Sequence, residues 1–351
     1  MKNQRIEFLY LSQEDLIAAN AFDMTLAMEA LKCAVLDMRE GKILFPSKIV
    51  QIFDEATQDR INCLPATLLG EKLCGVKWVS VFPGNPVKYG TQNLSAIFIL
   101  SEIERGYPVC VMEGTLCSNL RVAAMGATAA RYLAREDAEE IGFIGAGEQA
   151  KMHLLGMKAV RPGLKRCRVA AKYPEEEADF IRSLRPLLPD LELEACGGDL
   201  ERAIRGSDIL VTATSAQAPL LKADWIKPGA FYSHIGGWED EYRVVTMADK
   251  LVCDDWETVK HRTQTVSRCY RDGVIHDGDI YANIGDILSG AKAGREREDE
   301  FIYFNAVGLS YVDVAIASAM FRRAKGAGLG QRLIMQESRI FDKNLAGKLT
   351  I

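Results

Sequence analysis

The sequence predicts an α/β protein in which a doubly wound parallel sheet is joined to a second domain of the α+β type. From about residue 138 onward, β-rich and helical segments alternate, which is typical of a parallel sheet with crossover helices. Before that point, short β-rich segments follow one another without helices between them, which favours an antiparallel sheet. The chain has 351 residues, too many for one ordinary core, so two domains are expected.

The N-terminal third begins with helices and continues with strands. Ser12 followed by Asp15 forms a capping-box pattern, and a second helical pattern after Phe22 ends at Gly41. Turn residues such as Pro83 separate the β-rich segments that follow. The predicted strands cover 43–53, 61–69, 73–83, 94–104 and 107–115, and an alanine-rich helix covers 118–135.

The remaining segments define the parallel sheet and the domain boundaries. The predicted strands cover 140–145, 166–171, 191–195, 209–214, 230–236, 250–254 and 300–308. The predicted helices cover 147–161, 174–187, 199–205, 255–272 and 279–290, and a final helix covers 310–326. The final helix is assigned by position to the first domain. We therefore expect one domain from 1–136 with 310–351, and a second from 137–309.

Composition excludes several classes of function. Hydrophobic residues make up 48% and charged residues 26% of the chain, and the net charge is −5, so nothing global favours nucleic acid or an anionic membrane. There is no secretory signal and no apolar run of membrane-spanning length. The nine cysteines contain no Cys-x-x-Cys pair and the four histidines no metal-ligand spacing. We expect a cytoplasmic protein without a structural metal.

A glycine-rich turn predicts a Rossmann-type dinucleotide site. Gly145, Gly147 and Ala150 form Gly-x-Gly-x-x-Ala between an apolar β-rich segment and a helical one. Gly145 permits a tight turn, Gly147 lets the backbone approach a pyrophosphate, and the helix start at Glu148 and Gln149 offers N–H groups to the phosphates. An ordinary glycine-rich turn is the alternative, and the flanking pattern disfavours it.

The next strand ends bear on which nicotinamide cofactor is used. An acidic residue at position 171 would bind the 2′-hydroxyl of NAD, but the chain has Ala171 and then Lys172, which favours the 2′-phosphate of NADP over NAD. Alternatively, Lys172 points into solvent. Thr212 and Thr214 end a later strand, where small polar residues line the nucleotide crevice or simply form a turn.

Two cations lie in apolar surroundings of the first domain. Lys77 lies within an apolar strand, and Arg121 lies at the start of the alanine-rich helix. A buried cation needs a partner or serves a site, and arginine grips carboxylates in a bidentate fork. Internal salt bridges are an equally supported alternative.

These residues belong to segments that resemble the ornithine cyclodeaminase/mu-crystallin family over nearly the whole chain. The matching segments are Gly75-Val76-Lys77-Trp78, Phe82-Pro83-Gly84-Asn85-Pro86, Leu120-Arg121, Arg131-Tyr132-Leu133-Ala134, Gly142 to Ala150, Gly294-Arg295, and Phe304 to Leu309 followed by Asp313. The resemblance implies a homodimer, with a dinucleotide domain inserted in a substrate-binding and dimerisation domain. It implies that Lys77, Arg121 and Lys48 hold the carboxylate of an amino-acid-like substrate, and that Val307 lies at the cofactor.

The sequence departs from the family at the acid–base positions. Trp238 stands where the family usually has a catalytic aspartate, with Glu239 and Asp240 behind it, and Asn62 replaces a cyclodeaminase glutamate. We therefore expect an NAD(P)-dependent imine reductase or amino-acid dehydrogenase in which Lys77, Glu239 or Asp240 transfers the proton. A cyclodeaminase and a non-catalytic, crystallin-like binder of NADP are the alternatives.

Overall fold

The computed structural model describes residues 5–338, which divide into two compact units. The first unit comprises 5–26, 40–118 and 310–338, and the second comprises 27–39 and 119–309. The helices Met24–Arg39 and Thr115–Leu133 each run from one unit into the other. In the structure the chain thus passes from the first unit to the second between residues 118 and 119. The domain boundary between residues 136 and 137 remains a prediction from the sequence.

The first unit is built on one eight-stranded sheet. The strand order is β18-β1-β7-β6-β5-β4-β2, with β3 also paired to β4; β1 and β7 are parallel and the other pairs antiparallel. The strands are β1 (Ile6–Leu11), β2 (Ile43–Leu44), β3 (Ile49–Asp54), β4 (Asp59–Leu68), β5 (Leu73–Val81), β6 (Leu94–Glu102), β7 (Pro108–Glu113) and β18 (Gln331–Gln336). The helices of this unit are α1 (Gln13–Ala18), α3 (Asn85–Tyr89) and α12 (Ser310–Gly326), and the two shared helices are α2 (Met24–Arg39) and α4 (Thr115–Leu133).

One face of this sheet packs on α12 and the other is exposed. Side chains alternate along β4, β5 and β6, as period-two geometry requires. At Gly75 an added Cβ would lie 2.7 Å from Val314 Cγ1, so glycine is needed for α12 to pack this closely. On the opposite face Trp78, Ile97 and Ile99 are exposed.

The second unit contains an entirely parallel eight-stranded sheet in the order β10-β9-β8-β11-β13-β17-β15-β16. The strands are β8 (Glu140–Ile144), β9 (Arg166–Ala170), β10 (Glu192–Ala195), β11 (Ile209–Thr212), β13 (Phe231–His234), β15 (Lys250–Cys253), β16 (Ile280–Asn283) and β17 (Ile302–Asn305), with β12 (Gln217–Leu221) and β14 (Trp238–Asp240) forming a separate pair. The helices are α5 (Glu148–Val160), α6 (Pro174–Leu184), α7 (Leu200–Ile204), α8 (Tyr242–Thr246), α9 (Trp256–Val259), α10 (Thr265–Arg271) and α11 (Ile284–Leu288). The chain leaves β8 towards β9 on one side and later returns to β11 on the other. The turn after β8 therefore lies at the topological switch point, where such sheets bind ligands.

The α/β class and the parallel sheet are confirmed, while several short elements differ from the prediction. The segment 43–53 forms two strands, because Pro46 has no N–H to continue the ladder. The segment 255–272 forms α9 and α10, and 279–290 begins with a strand. Strands β1 and β18, which pair with each other, were not predicted. Within 5–338, no helix has the length and apolar character needed to cross a bilayer.

Candidate active site

The glycine-rich turn adopts the conformation that a dinucleotide site requires. Gly145 has φ +101°, and a Cβ there would lie 2.5 Å from the carbonyl oxygen of Ala213. Gly147 is the extended N-cap of α5, no side chain caps the helix, and a Cβ there would meet nothing within 4 Å. The space over the helix start is therefore open, and the helix dipole favours an anion in it. The residues present fit the pyrophosphate of a dinucleotide.

The two residues after Gly147 lie at this helix start in different environments. Gln149 is partly buried, and its side-chain amide donates to Asn119 Oδ1 at 2.9 Å. Glu148 is exposed and pairs with Lys151 at 2.8 Å. Lys151 also bonds Asp179 at 2.6 Å. The backbone of this turn, rather than its side chains, is what faces the open space.

The end of β9 carries no acid for a ribose. Ala171 is buried and donates its N–H to Glu177 Oε1 at 3.0 Å. The same buried carboxylate accepts the N–H groups of Gly197 and Gly198, each at 2.7 Å, so Glu177 ties together the loops after β9 and β10. Lys172 is exposed, with its ammonium 5.1 Å from the centroid of the Tyr173 ring. A cation is thus available at the ribose end, and the buried carboxylate of Glu177 is occupied by backbone N–H groups.

Glu239 is a structural carboxylate and not an exposed acid. It is fully buried and accepts the hydroxyl of Thr212 at 2.8 Å, the N–H and hydroxyl of Thr214 at 2.6 Å each, and the N–H of Gly236 at 2.8 Å. Thr212 is itself fully buried, so its hydroxyl faces Glu239 rather than the crevice. The predicted catalytic role of Glu239 and the predicted cofactor contacts of the two threonine hydroxyls are therefore not supported. Together these groups bind the end of β11 to the loop after β13.

Asp240 is likewise enclosed. It accepts hydroxyls from Thr265 at 2.7 Å, Tyr303 at 3.2 Å and Tyr232 at 3.3 Å. Burial raises its pKa to about 6. The Nε2 atom of His234 lies 3.6 Å from Asp240 Oδ1. Because the carboxylate is fully buried among protein groups, the structure does not present it to a substrate, and its predicted catalytic role is not supported either.

Trp238, which the sequence leads us to expect at the position of a catalytic aspartate, pairs into the small β12–β14 sheet. The guanidinium of Arg268 lies 4.5 Å from its ring centroid, within cation–π distance. Trp238 is partly buried in this three-residue strand, whereas Glu239 and Asp240 after it are fully buried.

Arg121, which belongs to the second unit, lies against the loop after β17. Asp254, at the end of β15, accepts the N–H groups of Val307 at 2.9 Å and Gly308 at 2.8 Å. Gly308 has φ +84°, and a Cβ there would lie only 2.1 Å from Nη1 of Arg121. Burial raises the pKa of Asp254 to about 6. Sequence reasoning missed Asp254, although a polar residue directly after a buried strand is the signal that would have found it.

The other two predicted cations lie in the first unit. Lys77 is buried and its ammonium lies 2.7 Å from Oδ1 of Asp313, which is fully buried on α12. Asn62 is buried on the neighbouring strand β4, and its Oδ1 has no hydrogen-bond partner. Asn62 lies directly opposite Val79, two residues from Lys77 on the same face of the sheet. Lys48 is partly buried, one residue before β3. The internal salt bridge considered for Lys77 is thus present.

No group of histidine, cysteine or acidic residues within 5–338 is arranged to hold a metal ion. The nine cysteines are free, and burial raises the pKa of Cys110 to about 12.

Comparison with known proteins gives a consistent result across the chain. The model of the ornithine cyclodeaminase/mu-crystallin family matches residues 11–328. The alanine dehydrogenase of Archaeoglobus fulgidus is 33% identical over 332 residues, which cover 93% of this chain and 98% of that protein.

Two solved structures are also similar over nearly their full length. One is the Δ1-pyrroline-2-carboxylate reductase of Thermococcus litoralis in complex with NADH and L-proline (TM-score 0.87, 30% identity, 92% of this chain and 99% of that one). The other is an archaeal alanine dehydrogenase dimer with bound NAD (TM-score 0.85, 31% identity, 94% and 100% coverage).

Proposed function

The chain belongs to the ornithine cyclodeaminase/mu-crystallin family, and we propose that it is an NAD(P)-dependent oxidoreductase acting on the C–N bond of a small amino or imino acid. The observation that carries this proposal is the pairing, in one unit, of an open glycine-rich turn at the switch point with an arginine held against the loop after β17. The first binds a dinucleotide and the second binds a carboxylate. Reduction of a 2-imino acid, or its reverse, needs both.

The residues of the second unit divide the binding of the cofactor among them. The N–H groups at the start of α5 hold the pyrophosphate, with Gly145 and Gly147 giving it room. The nicotinamide, when bound, supplies or accepts the hydride. Glu239 keeps the ends of β11 and β13 together, and Asp254 fixes the loop carrying Val307, so the crevice edge is preorganised.

The substrate is held by its carboxylate. Arg121 offers a planar fork suited to bidentate binding, and Lys77 and Lys48 supply further positive charge. Because the buried carboxylate of Asp313 neutralises Lys77, the lysine can lie in an apolar sheet face without a prohibitive desolvation cost. We propose that the Lys77 ammonium transfers the proton, because Glu239 and Asp240 each accept several hydrogen bonds from protein groups.

For the cofactor we propose a preference for NADP(H). The end of β9 lacks an acid that would repel a 2′-phosphate, and the exposed ammonium of Lys172 lies next to it. The related structures contain NAD or NADH, so both cofactors are tested below.

The cyclodeaminase reaction is disfavoured. The side-chain amine of ornithine is protonated near pH 7, and a positioned carboxylate is the simplest group to bind it and relay its proton. Trp238 and Asn62 occupy the two family positions for such carboxylates. Incubation with L-ornithine and catalytic NAD(P) should therefore yield no stoichiometric proline and ammonia. Robust formation of both products would contradict this argument.

We also propose a homodimer through the exposed face of the first sheet. Trp78 and Ile97 are cross-strand partners on that face, Ile99 follows two residues later, and all three are exposed by 37% or more. A contiguous apolar patch of this kind marks an interaction surface. Light scattering should give a dimer that Ile97→Glu dissociates, whereas Val87→Glu, at an exposed position outside the sheet, leaves it intact.

The direct test of the reaction is oxidation of NADPH or NADH with two types of substrate. One is pyruvate with and without ammonium, and the other is Δ1-pyrroline-2-carboxylate. We expect turnover that depends on the imine. Arg121→Ala should weaken transition-state binding by about 2–5 kcal/mol, measured as a lower kcat/KM. Arg131→Ala, at an exposed position of the same helix, should have little effect. Absence of turnover with both substrate types would refute the proposed reaction, and unchanged kinetics in a folded Arg121→Ala protein would return Arg121 to a structural role.

A further inference from the structure

Arg262 is a partly buried cation that no protein group satisfies. It lies in the loop between α9 and α10, and within residues 5–338 its side chain makes no ion pair and no hydrogen bond. Its Nε is sealed from solvent without a hydrogen-bond partner, and burial lowers the pKa of the guanidinium. Leaving a charge half-buried and unpaired is costly, so such an arginine is expected where a ligand completes it.

The loop that carries Arg262 lies along the carboxyl edge of the parallel sheet. Two residues on, the amide of Gln264 donates to the carbonyl oxygens of Gly236 at 3.1 Å and Ala306 at 3.0 Å. The Asp254 carboxylate, which holds the loop of residues 307–308, acts on the pKa of Arg262 in the direction opposite to burial. The bond from Gln264 to Ala306 fixes the segment that carries Arg262 against the loop on which the Arg121 guanidinium also lies.

A 2′-phosphate of the cofactor is not the missing anion. The adenosine end belongs to β9, and β8, β11, β13 and β17 separate β9 from β15 in the sheet. Strands β9 and β15 are thus five strand spacings apart, and at about 4.8 Å for each spacing this is roughly 24 Å. An anion that completes Arg262 therefore does not come from the adenosine end of the cofactor.

We propose that Arg262 binds a second carboxylate of the substrate, so that the protein acts on a dicarboxylic amino or imino acid. This inference rests on the proposed function, in which Arg121 grips the α-carboxylate. One carboxylate is satisfied by one bidentate guanidinium, and Arg262 supplies a second fork beside the same loop. The substrate class is therefore an amino acid whose side chain ends in a carboxylate, or the corresponding imine.

The competing explanation is that Arg262 only neutralises Asp254. If Arg262 served only to neutralise Asp254, its guanidinium would be expected to contact that carboxylate. Within the described residues, however, Arg262 and Asp254 form no ion pair within 4.0 Å. The oxygens of Asp254 instead accept the N–H groups of Val307, Gly308 and Asp255. If Arg262 acted only through its charge on Asp254, its loss would also lower kcat/KM for every substrate by the same factor. A comparison of substrates with and without a side-chain carboxylate therefore distinguishes the two roles.

The test compares L-aspartate and L-glutamate with L-alanine, which lacks the side-chain carboxylate, as substrates for NAD(P)-dependent oxidation. The variants are Arg262→Gln, Arg262→Lys and, as a matched control, Arg271→Gln at an exposed position of α10. We expect the wild type to favour a dicarboxylic substrate at least tenfold in kcat/KM. Arg262→Gln should remove that preference, Arg262→Lys should keep part of it, and Arg271→Gln should preserve it.

Two results would overturn the proposal: a wild type that prefers L-alanine to both dicarboxylic amino acids, or an Arg262→Gln protein that loses the same factor on all three. If none of the amino acids is oxidised, the proposed reaction on them is wrong. The second carboxylate site is then tested separately, by measuring ligand binding. Calorimetry with succinate and with propionate would then be compared in the cofactor-loaded wild type and Arg262→Gln. Succinate binding weakened at least tenfold by the substitution, with a smaller effect on propionate, supports the second subsite, and equal effects refute it.

Discussion

Substituting Gly308 by alanine should displace Arg121, which we propose binds the substrate, and should leave the fold intact. The added Cβ would lie 2.1 Å from Nη1, 2.8 Å from Cζ and 2.9 Å from Nη2 of Arg121. Contacts below 3.0 Å are essentially never seen for a Cβ atom, so the guanidinium must retreat by roughly 1 Å. Since it is the far end of a flexible side chain, the guanidinium gives way rather than the backbone.

Two free-energy terms follow from this geometry. A non-glycine residue at φ +84° costs about 1–2 kcal/mol in folding stability, whatever surrounds it. A shift of about 1 Å in a group that positions a substrate can lower the rate about 100-fold, which corresponds to about 2.7 kcal/mol. The substitution should therefore cost more in catalysis than in stability.

Gly290 provides the matched control, because it has φ +76° and an added Cβ there would meet nothing within 4 Å. Urea unfolding should show similar losses for Gly308→Ala and Gly290→Ala. Steady-state kinetics should show a 10- to 100-fold lower kcat/KM only for Gly308→Ala, mainly through KM (about 1.4–2.7 kcal/mol). Wild-type kinetics in Gly308→Ala would refute the placement of Arg121 at the substrate.

Three further predictions concern the second unit. Glu239→Gln should lower the free energy of unfolding, measured by urea titration, by about 1–3 kcal/mol. The reason is that an amide NH₂ would face N–H and O–H donors that now bond a carboxylate. An unchanged unfolding midpoint would contradict the structural role of Glu239. Lys172→Ala should lower kcat/KM about tenfold for NADPH and leave it unchanged for NADH. The control is Lys222→Ala, another lysine over an aromatic ring, which should change neither value. Equal effects of Lys172→Ala on both cofactors would rule out the 2′-phosphate contact. Asp240 has its pKa raised to about 6 in the folded state, so the folded protein binds its proton more tightly than the unfolded chain and stability falls as pH rises through this range. Relative to Asp240→Asn, the wild type should lose about 1–2 kcal/mol between pH 5 and 7.5, and parallel pH profiles would show that Asp240 does not titrate there.

The features that sequence could predict are those whose physical requirement is local. A tight turn with positive φ requires glycine, and Gly145 meets this requirement within three residues of its strand and helix. Alternation of helix and strand is also visible along the chain, and it predicts the parallel sheet. The cofactor turn was therefore predictable from a short window of sequence.

The carboxylates show where this reasoning ends. Glu239 and Glu177 look like solvent-facing acids in sequence, since charged residues are seldom fully buried. Each is buried because it collects backbone N–H groups from loops far away in the chain, as Glu177 does from Gly197 and Gly198. Such partners are set by the order of strands, which no local pattern contains.

The enclosed carboxylates also bear on the chemistry. A reaction that removes ammonia from a side chain must bind that ammonium and move its protons, which requires an acid or base at the substrate. Reduction of an imine to an amine requires a carboxylate anchor, an aligned hydride and one proton, and we propose the ammonium of Lys77, which is paired with Asp313, as the proton donor. Trp238 stands where we expect the family's acid, and Glu239 is bonded to the loops after β11 and β13. On the proposed function, the chain thus keeps the cations that would anchor a substrate, and an anchored imino acid would exchange hydride with the cofactor. The proposal further assigns the selectivity for the substrate side chain to Arg262.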